Sequence, residues 1–140
     1  MKALQLFPHM NESTINSTFK IAIKHGEEYT VLSNMPIRAR NKADNRMMWT
    51  DFHEQLLMSA QHLSIVITTF TNVSSHLAKV TIWCRQNVQQ QIYYARDVID
   101  KVVPYVQRKY LRTVPKLDII ALRHSHDSHT TLGLVLLRYN

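Results

Sequence analysis

The sequence predicts an α+β fold in which a three-stranded sheet has its helices on one face. Three observations predict it: an apolar stripe with helical spacing over residues 89–112, two segments rich in β-branched residues before it, and another apolar segment after it. With a further helical pattern upstream, the order along the chain is helix, strand, strand, helix pair, strand. Segments in this order are typical of helices layered on one side of a sheet.

Composition limits the class of protein before any motif is considered. The 140 residues are 45% hydrophobic, which is enough for one packed domain, and 17 Lys and Arg against 10 Asp and Glu give a formal charge of +7. This charge favours a polyanionic partner, with nucleic acid first and an anionic membrane second. The single Cys84 excludes an internal disulfide, and two glycines, Gly26 and Gly133, exclude a glycine-rich phosphate loop.

The first forty residues are predicted to form an extension. Residues 1–18 are polar and have no pattern, so we expect a tail. Over residues 19–31, apolar side chains alternate on either side of a polar turn, which predicts a β-hairpin. A basic lead-in with Arg38, Arg40 and Lys42 follows. We therefore assign residues 1–41 to an N-terminal extension.

The next segment is predicted to be a helix followed by two paired strands. Met48, Phe52, Leu56 and Ala60 recur every four residues, which indicates a helix over residues 42–60. Residues 63–69 and 77–85 are predicted to be adjacent antiparallel strands joined by a turn at residues 72–75. In the second strand Ala78, Val80, Ile82 and Cys84 are expected to point inward and Trp83 outward.

The long helix over residues 89–112 is the most distinctive element. Its apolar residues define one predicted buried face, and these are Ile92, Ala95, Ile99, Val102, Val103, Val106 and Tyr110. Lys101, Arg108 and Arg112 lie nearly opposite that face. Pro104 is expected to kink the helix or divide it in two, because proline cannot donate to the carbonyl of Asp100. Residues 117–122 are predicted to form the third strand, and residues 132–137 either a short helix or an edge strand.

Two stretches resemble the ribosome-binding factor A family. The segment from Ser64 to Phe70 followed by Ser74 to Trp83 resembles that family's paired strands, and Tyr110 to Ile119 is similar to its Leu-Arg-x-x-Pro-x-Leu exit from the last helix. The resemblance covers roughly residues 42–128. The chain departs from the family in lacking the glycine of the helix kink, where Pro104 supplies the bend instead, and in the residues that follow the last strand.

The resemblance implies a type II KH-like fold, in the order α-β-β-α-(kink)-α-β, over residues 42–128, with a C-terminal segment at residues 129–140. It also implies a factor, not an enzyme, that binds the 3′ region of small-subunit rRNA beside ribosomal proteins or assembly factors. No cofactor, metal, membrane or small-molecule substrate is expected. The divergence favours the mitochondrial matrix, with a bacterial-type cytoplasm as the alternative.

Two other functions stay open. The KH-like domain fits a permanent structural subunit of an organellar ribosome or another large assembly, and charge alone fits a DNA-binding or membrane-binding module. No nucleophile elbow or P-loop pattern favours an enzyme. For RNA binding we select basic residues whose side chains suit phosphate contact. They are Arg38, Arg40, Arg96, Lys101, Arg108, Lys109, Arg112 and Lys116.

Three smaller features each have two interpretations. The segment from His124 to His129 contains three histidines and an aspartate that suit zinc, but a polar loop is the default. Trp83 is expected either to stack on a base or to be covered by its own chain. The Asn-x-Ser/Thr patterns are treated as chance matches, and they begin at Asn11, Asn16 and Asn72.

Overall fold

The structure is a computed structural model that describes residues 16–76, 79–110, 116–123 and 128–138. The described residues form mostly β-strands, with one α-helix among them. The predicted α+β, KH-like fold is therefore wrong. The chain divides into two compact units, Met1–Thr68 and Thr69–Asn140, here called unit 1 and unit 2. The boundary expected between residues 41 and 42 falls inside a strand of unit 1.

Unit 1 is built of short antiparallel sheets. Strands β2, β5 and β4 form a three-stranded sheet in that order, β1 pairs with β6, and β3 pairs with β7. A short 3-10 turn at Ala60–His62 precedes β7. The strands are β1 Ser17–Phe19, β2 Ala22–Gly26, β3 Thr30–Ser33, β4 Ile37–Ala43, β5 Met47–Phe52, β6 Gln55–Met58 and β7 Ile65–Thr68.

The hairpin predicted over residues 19–31 is wrong in its pairing. Strands are present there, but β2 pairs with β5 and β3 pairs with β7 instead of with each other. The amide of Tyr29 donates to the carbonyl of Gly26 across the turn between them. Alternation of apolar residues identifies a strand, but the partner depends on segments further along the chain.

The helix predicted over residues 42–60 is also wrong, because a β-hairpin occupies its first half. Asn45 and Arg46, with φ of 59° and 57°, form the turn between β4 and β5. A spacing of four residues is an even number, so Met48 and Phe52 share one face of a strand as well as one face of a helix. Thr50 lies between them on the same strand face and is buried.

The core of unit 1 is a cluster of Val31, Met35, Phe52 and Leu63. Half-buried apolar side chains pack against it from five of the strands and from the residue between β1 and β2. Phe52 and Met35 are almost fully buried. Burial of Phe52 agrees with the sequence-based expectation, whereas the side chain of Leu56, its predicted neighbour, lies outside the described residues.

Unit 2 is a five-stranded sheet with one helix. The strand order is β11-β12-β10-β9-β8; β10 is parallel to both β9 and β12, and the outer pairs are antiparallel. A 3-10 turn at Gln86–Val88 precedes the helix. The elements are β8 Thr71–Ser74, β9 Val80–Cys84, α1 Gln89–Tyr110, β10 Leu117–Leu122, β11 His129–Thr131 and β12 Leu134–Arg138.

Several strands of unit 2 agree with the sequence, but their pairing does not. The strand expected at residues 117–122 is confirmed as β10, and the one expected at residues 77–85 is present as β9. The strand expected at residues 63–69 exists as β7, yet it pairs with β3 in unit 1. The predicted turn at residues 72–75 is largely strand β8, which takes the place beside β9.

Helix α1 lies between β9 and β10 in the chain. These strands are parallel, so they need a crossover connection, which is usually a helix. It is continuous through Pro104, so the predicted helix pair is wrong. None of its described side chains is fully buried, and Val106 and Tyr110, expected in the core, are exposed. The described helix extends to Tyr110, and the predicted end at Arg112 falls in residues 111–115, which lie outside the described part.

The sheet of unit 2 has buried side chains on both of its faces. Val80, Ile82, Trp83 and Cys84 of β9 are all buried. On β10, Ile120 is fully buried and Ile119, the predicted core residue, is half-buried. The predicted core residue Ala78 lies outside the described residues. Residues 132–137 were predicted to form either a short helix or an edge strand. They contain most of β12, which lies between β11 and β10.

Among the described helices, none has both the length and the apolar character that a membrane-spanning segment requires.

Candidate functional site

Two of the selected basic residues lie on an edge strand of unit 1. Arg38 and Arg40 belong to β4, together with Lys42, and all three side chains are exposed. Among the strands that the structure describes, β4 is at the end of its sheet and pairs only with β5. The register shifts between Ile37 and Ala39, so Arg38 is the extra residue of a β-bulge.

The two faces of this edge differ in charge. Arg40 lies opposite Thr50 and Lys42 opposite Met48, and these positions share one face of the sheet. Asn41 points to the other face, where its Nδ2 donates to Oδ2 of Asp51 at 3.2 Å. The carboxylate of Asp51 is therefore separated from Arg40 and Lys42 by the sheet. Among the described residues no ion pair involves Arg38, Arg40 or Lys42.

A buried polar pair supports the same sheet from β2. His25 is buried, with Nδ1 2.8 Å from the carbonyl oxygen of Gly26 and Nε2 2.8 Å from Oγ1 of Thr50. A carbonyl only accepts hydrogen bonds, so Nδ1 is the donor, and in the neutral ring Nε2 accepts from the Thr50 hydroxyl. Thr50 has no exposed surface. The pair joins β2 to β5, which is the strand that holds β4.

Lys116, another selected residue, is engaged inside unit 2. Its Nζ lies 2.7 Å from Oδ2 of Asp118, whose side chain is 7% exposed. The other carboxylate oxygen accepts a hydrogen bond from Nε1 of Trp83 at 3.0 Å. Asp118 on β10 is therefore held by a cation and by an indole from the neighbouring strand β9. Trp83 is covered by its own chain, which was one of its two interpretations.

Asp100 of α1 caps the end of β8. The Ser75 hydroxyl donates to Oδ1 of Asp100, and the backbone amide of His76 donates to the same oxygen at 3.2 Å. Serine, histidine and aspartate meet here, but the contact from His76 is made by its backbone. These hydrogen bonds attach α1 to the segment that follows β8.

Helix α1 holds the other described residues that were selected for RNA binding. Arg96 forms an ion pair with Asp97 at 2.8 Å, and its guanidinium lies 5.2 Å from the centroid of the Tyr93 ring. Lys109 lies near the rings of Tyr105 and Tyr110, at 6.0 and 5.7 Å. Lys101 and Arg108 are exposed. Arg112, the last of the selected set, lies outside the described residues.

The structure describes little of the histidine-rich segment. Residues 124–127 lie outside the described part, as does the side chain of His129. Within the described part no group of three or more His, Cys, Asp or Glu residues is arranged to hold a metal ion. Cys84 is completely buried. Burial raises the pKa of its thiol above the ordinary value, and a hydrogen bond with Thr71 opposes that shift only in part.

Sequence reasoning missed the buried polar residues. Asp118 had a detectable signal, because a lone carboxylate inside the apolar run Leu117–Leu122 has to be paired to be buried. Thr50 and His25 had no such signal, since both residue types are common on exposed strands.

Comparison with known proteins points to a different family from the one expected. Residues 1–61 match the family described as the peptidase M1 N-terminal domain. The chain is 29% identical to glutamyl aminopeptidase of Rattus norvegicus over 125 residues, which cover 86% of the chain and 13% of the relative. It is 28% identical to aminopeptidase N of Bos taurus over 149 residues, covering 99% of the chain and 15% of the relative.

A third relative is the thyrotropin-releasing hormone-degrading ectoenzyme of Rattus norvegicus, 27% identical over 94% of the chain and 13% of the relative. The chain thus spans about one seventh or less of the length of these relatives. A match over 86% of the chain or more is longer than either unit, so it includes residues of both.

These similarities correct the functional expectations. They point to the M1 peptidase family, so the resemblance to ribosome-binding factor A was misleading. The expected role in ribosome maturation, the RNA-binding assignment and the ribosomal partners are contradicted with it. The expectation that the protein is not an enzyme is contradicted too, because the similar proteins are aminopeptidases. The mitochondrial location stays a prediction.

Proposed function

We propose that this chain is part of an aminopeptidase of the M1 peptidase type and contributes its β-rich N-terminal region. The observation that supports this most directly is the match of residues 1–61 to the peptidase M1 N-terminal domain. Those residues lie within unit 1, whose described part is made of antiparallel strands. The similarity to aminopeptidases continues into unit 2.

The substrate class follows from the same comparison. An aminopeptidase releases the first residue of a peptide that has a free amino terminus, so the proposed substrates are peptides. Because the chain spans a small share of its relatives, the activity is proposed for the whole protein to which this chain belongs. Within the described residues, the polar clusters at Asp118 and Asp100 support the fold and do not form a nucleophile with its base.

The test is an aminopeptidase assay on the longest protein encoded by the same gene, beside the 140-residue chain alone. Substrates with an N-terminal Glu, Ala or Leu, each linked to a chromogenic amide, report release of the first residue. We expect release by the longer protein from at least one of the three. Identical substrates with an acetylated amino terminus are the control, and we expect no release from them.

Two results would overturn the proposal. One is no release from any free-amino substrate by a folded preparation of the longer protein. The other is equal cleavage of the acetylated substrates, which would indicate a different class of hydrolase.

A further inference from the structure

The edge of β4 has free hydrogen-bonding capacity. Strand β4 is seven residues long and is paired on one side only. Within the described residues no other backbone hydrogen bond involves residues 38–43. An unpaired edge presents a row of amide and carbonyl groups, to which another extended strand can add. The bulge at Arg38 interrupts this row, so the regular stretch is residues 39–43.

The side chains along this edge define the charge of a strand that fits it. Arg40 and Lys42 point to the same face and are two residues apart, which is about 6.8 Å along a strand. Arg38 adds a third positive charge at the bulge. Asp51, which pairs with Ala39 in the register, lies on the opposite face, and Asp44 lies in the turn beyond the strand. Within the described residues neither acid forms an ion pair with Arg40 or Lys42.

This charge pattern selects between two kinds of added strand. A second copy of the same edge would place Arg40 and Lys42 against like charges, and like charges directly opposite each other destabilise a strand pair. A strand with carboxylates at alternate positions would place one carboxylate beside each cation. Opposite charges at such positions stabilise the pair. The edge therefore opposes self-association and favours an acidic extended partner.

We propose that the edge of β4 binds an extended acidic peptide by strand addition along residues 39–43. The carboxylates of alternate peptide residues lie beside Arg40 and Lys42, and the peptide backbone pairs with the free edge of β4. The inference goes beyond the aminopeptidase assignment and does not need it, because binding is a property of the 140-residue chain itself.

The first experiment measures binding of a labelled peptide, Thr-Glu-Thr-Glu-Thr with both ends blocked, to the 140-residue chain by fluorescence anisotropy. We expect saturable binding that weakens as salt is raised, because exposed charges are screened. The double variant Arg40→Glu, Lys42→Glu is expected to bind about tenfold more weakly. A peptide with Lys in place of Glu is expected to bind the double variant better than the parent chain.

A matched control uses the other edge of the same sheet. Lys24 is exposed on β2, at the far side of β5 from β4. The variant Lys24→Glu changes the net charge in the same direction, and we expect it to bind the acidic peptide as the parent chain does. An equal loss for Lys24→Glu would mean that net charge alone attracts the peptide, and the proposal would be wrong.

The second experiment separates strand addition from attraction between side chains. Two acidic peptides are N-methylated at alternate backbone positions, one at the odd positions and one at the even positions. In an edge pair only one set of amides faces β4. We expect one methylated peptide to lose binding and the other to keep it. Equal affinities for both would show that the backbone does not pair, which overturns the proposal.

The variants need a folding check that keeps the outcome interpretable. Circular dichroism should match the parent chain, and Arg40→Gln, Lys42→Gln is a milder pair if the charge reversals fail to fold. Unchanged binding by a folded double variant also overturns the proposal. Peptide binding without aminopeptidase activity would contradict only the proposed function, and activity without binding would contradict only this inference.

Discussion

Unit 1 and unit 2 bury their apolar residues in different ways. In unit 1 side chains from different strands and loops meet in one cluster around Phe52 and Met35, and all strand pairs are antiparallel. In unit 2 the buried side chains of the described residues lie in the sheet, on all five strands, while α1 has none. The strands of unit 1 therefore depend on one another for a core, whereas α1 is a crossover attached at a few points.

The two units also differ in the polar side chains that link their elements. Unit 1 joins strands β2 and β5 through the hydrogen-bonded pair of His25 and Thr50. Unit 2 uses charge, with Lys116 and Trp83 holding Asp118 inside the sheet and Asp100 capping β8. Long-range pairing by a parallel sheet needs a covering helix and specific polar contacts, and these charged contacts supply part of that specificity. This comparison predicts a descending series of effects.

The largest effect is expected in the core of unit 1. Phe52→Ala should lower the free energy of unfolding by about 3–5 kcal/mol, because it removes a buried aromatic side chain and leaves a cavity. Urea denaturation followed by circular dichroism measures the change. Leu57→Ala, at a side chain that is 68% exposed, is the control and should change it by less than about 0.5 kcal/mol. Similar losses for both variants would contradict the described core.

The next effect concerns the charged cluster of unit 2. Asp118→Asn keeps an acceptor for Trp83 but removes the ion pair with Lys116, so we expect a loss of about 1–3 kcal/mol. Urea denaturation in a Trp49→Phe background isolates the fluorescence of Trp83. Lys116→Met, which removes the cation instead, should cost at least as much, because it leaves the charge of the buried Asp118 carboxylate uncompensated. A clearly smaller loss for Lys116→Met than for Asp118→Asn would contradict this account.

A smaller effect concerns Cys84 and depends on pH. Because burial raises the pKa of this thiol in the folded state, the unfolded state ionises first. Its contribution to stability is therefore constant below the thiol's ordinary pKa and declines as pH rises above it. We expect the stability difference between the parent chain and Cys84→Ala to narrow between pH 7 and pH 10. A difference that does not change with pH would contradict the raised pKa.

The smallest effect is expected on α1. Val102, which the sequence placed in the buried stripe, is 50% exposed. Val102→Ser should change the free energy of unfolding by less than about 0.5 kcal/mol. Ile120→Ala, at a fully buried position of β10, is the contrasting variant and should cost about 2–5 kcal/mol. A loss for Val102→Ser as large as that for Ile120→Ala would mean that α1 is a core helix after all.

Part of this fold was predictable because its signals are local. The apolar alternation at residues 117–122 and at residues 77–85 each corresponds to a strand, and the apolar spacing at residues 89–112 to a helix. The failures came from patterns with two solutions. The four-residue spacing that includes Met48 and Phe52 fits either a helix or a strand, and the turn at Asn45 and Arg46 decided for strands.

The sequence singled out basic residues by their charge but could not show where folding places them. Arg38 and Arg40 were selected for their charge, yet nothing in the sequence showed that they lie along the free edge of a sheet. Lys116 looked identical to them in sequence and is held by a buried aspartate instead. The partner of a charged side chain is set by residues brought near by folding, so charge alone does not separate an exposed cation from a paired one.

The sequence by itself determined the basic charge, the strands β9 and β10, and a long amphipathic helix between them, because hydrophobic periodicity and propensity act over a few residues. Only the tertiary structure decided that β2 pairs with β5, that β3 pairs with β7 and that β10 is parallel to β9 and β12. The physical reason is that backbone hydrogen bonds between strands are the same for every sequence. The choice of partner therefore depends on which side chains can be buried together across the whole chain.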